Sequence, residues 1–197
     1  MDECLRLIPV KVSIVEQDSL NKGLSIEEID AAIDSLSSGK SPGIDGLPVE
    51  FYKKQKNWIT VEILRLYEEE FAKGSLGKDI NKGVIKLLPK TRDKILIKNW
   101  RPITLLNLSY KILAKALARR ITPLVSRFIS QTQTRFIQGR YILENLITSW
   151  EAMHWAKENG QEVAMILLDF EKAYDRIEWC FFIGMLKAFG FTKKYSD

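Results

Sequence analysis

The feature that most constrains this chain is Val163 to Leu168, six apolar residues in succession bounded by Gly160 and the acid Asp169. The run is too short for a stable helix, whereas a strand covered on both faces reads this way. The spacing predicts a buried strand with Asp169 at its C-terminal end, and such a strand needs neighbours. Apolar residues elsewhere recur mostly at helical spacing, so the expected class is α+β, helix-rich, with an incomplete sheet.

Residues 1–24 show no clear periodicity and read as a lead-in segment. Ser25 and Glu28 form a capping-box pattern ahead of Ile29, Ile33 and Leu36, with Gly39 as a stop. The stretch Gly39-Lys40-Ser41-Pro42-Gly43-Ile44-Asp45-Gly46 holds three glycines and a proline, which demands sharp turns. A second helix starts near Pro48, buries Ile59, Ile63, Leu66, Tyr67 and Phe71, and ends at Gly74 and Gly77. Val84 to Leu88 reads as a strand stopped by Pro89, with a basic loop after it.

Leu113, Leu117 and Ile121 recur at i+4, and Lys111, Lys115 and Arg119 recur on a face about 160° away. Thr122-Pro123 is expected to restart a short helix. After a polar loop from Gln131 to Arg140, Leu143, Leu146, Ile147, Trp150 and Met153 make another amphipathic helix. Asp175 and Glu178 repeat the cap spacing before a last helix with Phe182, Met185, Leu186 and Phe189 inward.

At 197 residues and 46% hydrophobic, the chain suffices for one core or two small lobes. No apolar run is long enough to span a membrane and the N-terminus is unlike a signal peptide, so an intracellular protein is expected, nucleus or cytoplasm left open. Cys4 and Cys180 lack ligand-spaced neighbours, which argues against a thiolate zinc site and for reduced thiols. Between Lys82 and Arg140 there are fourteen Lys or Arg and one acid, a net +13 that leaves −8 for the remainder. A one-sign block suggests a polyanion, nucleic acid first; neutralisation by the acidic flanks on folding is the alternative.

An acid at a strand end is a common way to hold a divalent cation near phosphate, and equally a way to turn or cap the chain. Asp169 alone allows both. Asp175 reads as a helix N-cap, Glu171 as a solvated charge, and His154, beside Trp155, as structural. Gly39-Lys40-Ser41 ends like a phosphate-binding P-loop but lacks the first glycine.

Five blocks, in one order, resemble the reverse transcriptase of non-LTR (LINE-type) retrotransposons, especially the plant members. They are Gly39 to Pro48 with Glu50-Phe51-Tyr52; Asn81 to Lys90; Asn99-Trp100-Arg101-Pro102-Ile103-Thr104-Leu105-Leu106-Asn107 with Tyr110-Lys111; Gln133 to Arg140; and Asp169-Phe170-Glu171-Lys172-Ala173-Tyr174-Asp175. The resemblance covers nearly everything from Ser25 to Phe191. It implies fingers over residues 25–160 and the start of a right-hand polymerase palm over 161–197.

The resemblance also implies roles. Asp169 would be the catalytic acid that ligates two Mg²⁺ ions, with the Phe170 carbonyl holding one of them, oxygen donors suited to that cation. Tyr174 would exclude a ribose 2′-OH, Arg101 would clamp the incoming triphosphate, and Lys86 and Lys90 would assist. Lys111, Lys115, Arg119 and Arg140 would line the wall along template phosphates. The implied partners are an RNA template, a DNA primer and deoxynucleoside triphosphates, with no membrane.

Arg135 stands where the family's Gln-x-Gly-Phe has glycine, and a left-handed backbone there would disfavour it, so an altered loop is expected. The family's second motif, aromatic-x-Asp-Asp, is missing from these residues, which hold no Asp-Asp pair. A fragment inactive by itself is therefore expected. Two alternatives remain: a non-catalytic RNA-binding module derived from such an enzyme, and an unrelated α/β enzyme using Asp169 as acid or base.

Overall fold

The computed structural model describes residues 5, 7, 8, 11–90, 92–170 and 172–196. Cys4 and Glu171 lie outside them. Along the chain run helix α1 (Ile14–Asn21), α2 (Ile26–Asp34), α3 (Val49–Lys54), α4 (Lys56–Lys73), strand β1 (Gly83–Pro89), a 3₁₀ turn (Ile97–Asn99), strand β2 (Trp100–Leu106), α5 (Leu108–Phe128), α6 (Ile142–Glu158), α7 (Trp179–Ala188) and α8 (Lys193–Ser196). The result is helix-rich with a small antiparallel sheet. Two compact units form: Gly23–Arg120, and Met1–Lys22 together with Ile121–Asp197.

In the Gly23–Arg120 unit, the Ser25 box forms as expected: Ser25 N–H donates to Glu28 Oε2 at 3.0 Å and Glu28 N–H donates to Ser25 Oγ at 3.3 Å. Helix α2 stops at Asp34, short of Gly39, where Ser35 Oγ donates back to the Ala32 carbonyl. The single helix expected from Pro48 is two, because Gln55 leaves helical backbone at φ −100°. Its carbonyl accepts from Trp58 and Ile59 and restarts the winding as α4. Left-handed Gly74 ends α4 as expected.

The core of this unit is Ile29 and Ile33 of α2, Tyr52 of α3, Ile59, Ile63 and Tyr67 of α4, and Leu108, Ile112 and Leu113 of α5. Each such side chain contributes about 1.5–3 kcal/mol on burial. Tyr67 is fully enclosed, its hydroxyl donates to the Ser109 carbonyl, and burial pushes its phenol well up. Arg120 donates from Nε to Glu28 Oε1 and from Nη2 to Glu28 Oε2, both at 2.6 Å, and also to the Gly23 carbonyl. That fork holds the Glu28 carboxyl below its ordinary range.

Strands β1 and β2 pair antiparallel in register Gly83↔Leu106 through Pro89↔Trp100. The sequence places a loop after Pro89; instead Trp100–Leu106 is β2. Pro102 conceals it from a run-based reading, but both strands of a two-stranded sheet are edges, where proline is tolerated.

In the other unit, α1 lies within the expected lead-in. A second capping box, Ser13 with Glu16, starts it. Val12 N–H donates to the Phe189 carbonyl at 2.7 Å, and Gln17 Nε2 donates to the Gly190 carbonyl at 2.7 Å. Val12, Leu20, Leu124 and Phe191 form a small core beside Phe128 and Phe189. Helix α5 runs unbroken through Pro123, where two helices are expected. Proline has no N–H for the Arg119 carbonyl, but Arg119, Thr122 and Pro123 are exposed, so water can take the donor's place.

Two further expectations are overturned here. Helix α6 forms, but Leu143, Leu146, Ile147, Trp150 and Met153 are all exposed. Residues 163–168 form no strand, and Leu167 is 87% exposed. A strand with both faces buried needs flanking strands to satisfy its backbone and cover its side chains, and the sheet among the described residues contains β1 and β2 alone. The N-cap of α7 is Glu178; Asp175 instead lies in a turn, its N–H donating to the Lys172 carbonyl.

Candidate functional site

The β1–β2 hairpin arranges the first group of cations. Directly opposed residues share a face, so Lys86 beside Ile103 and Leu88 beside Arg101 put Lys86 and Arg101 diagonally on one face. Neighbours so placed are separated by roughly 7–8 Å. The ladder extends one bond further, Lys90 N–H to the Asn99 carbonyl at 2.7 Å, and the alternation brings Lys90 to the same side. Lys86, Lys90 and Arg101 are exposed and make no ion pair among the described residues. They form a short line of cations able to meet a polyphosphate.

All of β1 is exposed, so the hairpin is oriented from its base. There the Asn107 side chain, 5% exposed, accepts from Asp45 N–H at 3.3 Å and donates to the Asp79 carbonyl at 2.8 Å. One amide thus joins the turn before β1, the end of β2 and the 39–46 loop. That loop reaches it only because residue 43 has no side chain: a β-carbon on Gly43 would stand 2.2 Å from Asn107 Oδ1. Gly39 and Gly46 take left-handed backbone, as the glycine-rich turn requires.

The second group lies on α5. Leu108, Ile112, Leu113 and Ala116 face the core, so Lys115 and Arg119 project into solvent while Lys111 is half-buried. None of these three cations has an ion pair among the described residues. Three other cations of the basic block are paired with acids of its flanks: Arg120 with Glu28, Arg127 with Glu16, Lys82 with Asp79. Arg140 uses its guanidinium internally, on the carbonyls of Ser126, Ile129, Ser130 and Gln133.

Asp169 is exposed and opens onto a cavity of about 540 Å³ lined by Phe170, Ala173, Arg176 and Ile177. After it the chain turns at Lys172, whose φ is +52°. Tyr174 is 83% exposed. As a Mg²⁺ site the set has the right donor chemistry, a carboxylate and a carbonyl oxygen, but too few donors. No group of three or more potential ligands occurs among the described residues. These residues alone do not make a metal centre. The hairpin and α5 cations belong to the Gly23–Arg120 unit and the Asp169 cavity to the other.

Sequence reasoning missed Asn107, Arg176 and Phe136. Asn107 looks like a residue opening a helix, yet its side chain serves partners 62 and 28 positions away. Arg176 follows the Asp169 segment without a marker of its own. In the 131–140 loop the left-handed residues are Phe136, at φ +66°, and Gly139, at φ +82°, and not Arg135.

A family model described as reverse transcriptase (RNA-dependent DNA polymerase) matches residues 88–196. The "transposon TX1 uncharacterized 149 kDa protein" of Xenopus laevis is 35% identical over 197 residues, 98% of this chain and 15% of that protein. The "retrovirus-related Pol polyprotein from type-1 retrotransposable element R2" of Popillia japonica is 25% identical over 174 residues, 87% of this chain and 23% of that protein. The chain therefore spans less than a quarter of the length of these relatives. Both come from animals, so the likeness to plant members finds no support.

Proposed function

The chain belongs to the reverse transcriptase (RNA-dependent DNA polymerase) family and is similar to proteins of non-LTR retrotransposons, and from that premise we propose that it supplies the nucleotide- and template-facing part of an RNA-directed DNA polymerase. The observation that carries this is the shared exposed face of Lys86 and Arg101 on a hairpin that overlaps and precedes the matched segment. Family membership removes the unrelated α/β enzyme from consideration.

In this reading residues 25–160 act as fingers and 161–197 begin the palm. The Arg101 fork takes two oxygens of an incoming deoxynucleoside triphosphate, and Lys86 and Lys90 add countercharge. Asp169, with the Phe170 carbonyl, contributes part of the oxygen set for Mg²⁺, and further acids come from elsewhere in the full-length protein. Tyr174 stands against the sugar edge. Lys111, Lys115 and Arg119 track phosphates of the RNA template and DNA primer without reading sequence. Arg140 supports its loop.

Binding of a labelled deoxynucleoside triphosphate with Mg²⁺ to this chain tests the reading. Arg101→Ala should weaken it about tenfold or more, and Arg101→Lys should restore it only in part, since lysine lacks the fork. Equal affinity in all three proteins would defeat the assignment. Primer extension by these residues alone should be absent; robust extension abolished by Asp169→Ala would overturn that expectation. A second reading, a non-catalytic RNA-binding module retained for the basic surface, is favoured by Lys111, Lys115 and Arg119 of α5, which have no ion pair among the described residues. RNA binding without triphosphate binding would select it.

A further inference from the structure

Phe136 is 81% exposed and holds a left-handed φ of +66°, which a residue with a β-carbon adopts at a cost. An aromatic ring in water and a strained backbone are both unfavourable, and here they coincide. The loop is not a loose tip. Arg140 ties it to the end of α5 through the carbonyls of Ser126, Ile129 and Ser130 and closes on Gln133, while Asn145 Nδ2 donates to the Thr132 carbonyl at 3.0 Å. The ring is thus presented outward on an anchored support.

Two neighbours indicate what it presents to. The Arg135 guanidinium carbon lies 5.1 Å from the Phe136 ring centroid, so a cation accompanies the aromatic face. Phe136 also walls a concavity of about 230 Å³ whose lining includes Thr122, Pro123, Ser126 and Gln138. That volume is below the roughly 300–1,000 Å³ of typical ligand pockets and suits one ring system. Its lining carries hydroxyl and amide groups, of which Ser126 Oγ already donates to the Pro123 carbonyl at 3.5 Å.

We infer that Phe136 and Arg135 form a stacking platform for one unpaired nucleobase of a bound RNA strand, with Arg135 meeting the adjoining phosphate. The inference rests on the RNA-directed reading above. Base stacking on an exposed ring tolerates any sequence, as a polymerase surface must. It is independent of the α5 cations, which act through charge.

The test uses this chain and a single-stranded RNA oligonucleotide carrying 2-aminopurine, titrated at several salt concentrations. Phe136→Gly, which suits the left-handed backbone, should keep or raise the unfolding temperature, yet weaken RNA binding about five- to thirtyfold. It should also abolish the 2-aminopurine quench and leave the salt slope unchanged. Phe136→Trp should retain affinity and quench. Wild-type binding with Phe136→Gly within twofold of it, or a Phe136 effect that appears only as a changed salt slope, would overturn the platform alone. No RNA binding by the wild-type chain would overturn both the platform and the RNA-directed reading.

Discussion

Gly43 and Asn107 are in a contact that tolerates no side chain on the glycine: an added β-carbon would lie 2.2 Å from Asn107 Oδ1, 2.5 Å from its backbone nitrogen and 2.6 Å from its α-carbon. Through this approach a glycine-rich loop and a strand end, far apart in sequence, share one buried amide. Since β1 is exposed throughout, the junction is what directs the Lys86 and Arg101 face.

Gly43→Ala should therefore destabilise the chain by about 1–3 kcal/mol through overpacking, read from urea unfolding. Asn107→Ala should cost about 1–3 kcal/mol by removing its two hydrogen bonds to Asp45 and Asp79, each worth about 0.5–1.5 kcal/mol net. The double variant should be less unstable than the sum, because removing Oδ1 relieves one clash, but the backbone contacts persist and the rescue is partial. Strict additivity would show that the contact does not exist in solution.

Acid should weaken the helix α1 junction in a defined window. The Ser13 backbone N–H, then the Arg127 guanidinium, hold the Glu16 carboxyl at about 2 against an ordinary 4.5. A depressed carboxylate stabilises the fold above its unfolded pKa, and that stabilisation is lost as pH falls toward the folded value. Glu16→Gln should flatten the pH dependence of unfolding between about 4.5 and about 2 relative to wild type. An unchanged acid limb would remove Glu16 from the account.

The apolar residues of α6 and of 163–168 should behave as surface. Ile147→Lys and Leu167→Asp are expected to change unfolding free energy by no more than about 0.5 kcal/mol, because both side chains are already more than half exposed. Both should reduce binding of a hydrophobic dye. Ile29→Ala, in the core, should cost about 2–5 kcal/mol. A loss of that size at Leu167 would mean that the run is buried after all.

Much of the helical framework was legible because caps are local. Ser25 with Glu28 and left-handed Gly74 act over a turn or less, and strand β1 ends one residue from its expected limit. Helix α1 carried the same box signal, Ser13 with Glu16, but without the apolar stripe that would have drawn attention to it. Strand β2 was hidden by Pro102 and became visible only through pairing with β1. Of the candidate site, residue types and order were readable. The commitment of Arg140 to four carbonyls was not, since none of those bonds has a sequence marker.

The sequence by itself determined the Ser25 helix start, the basic block and Asp169 as an acid after an apolar run, because these depend on neighbours within a few residues or on composition, while Arg101 and Tyr174 became candidates only through the family resemblance. Only the tertiary structure decided which face of the hairpin holds Lys86 and Arg101, that Asn107 sets its base, which cations are neutralised, and that the 163–168 run lies open. Those outcomes depend on contacts between distant segments. An apolar run records a demand for burial, and whether it is met depends on strands that the run itself cannot specify.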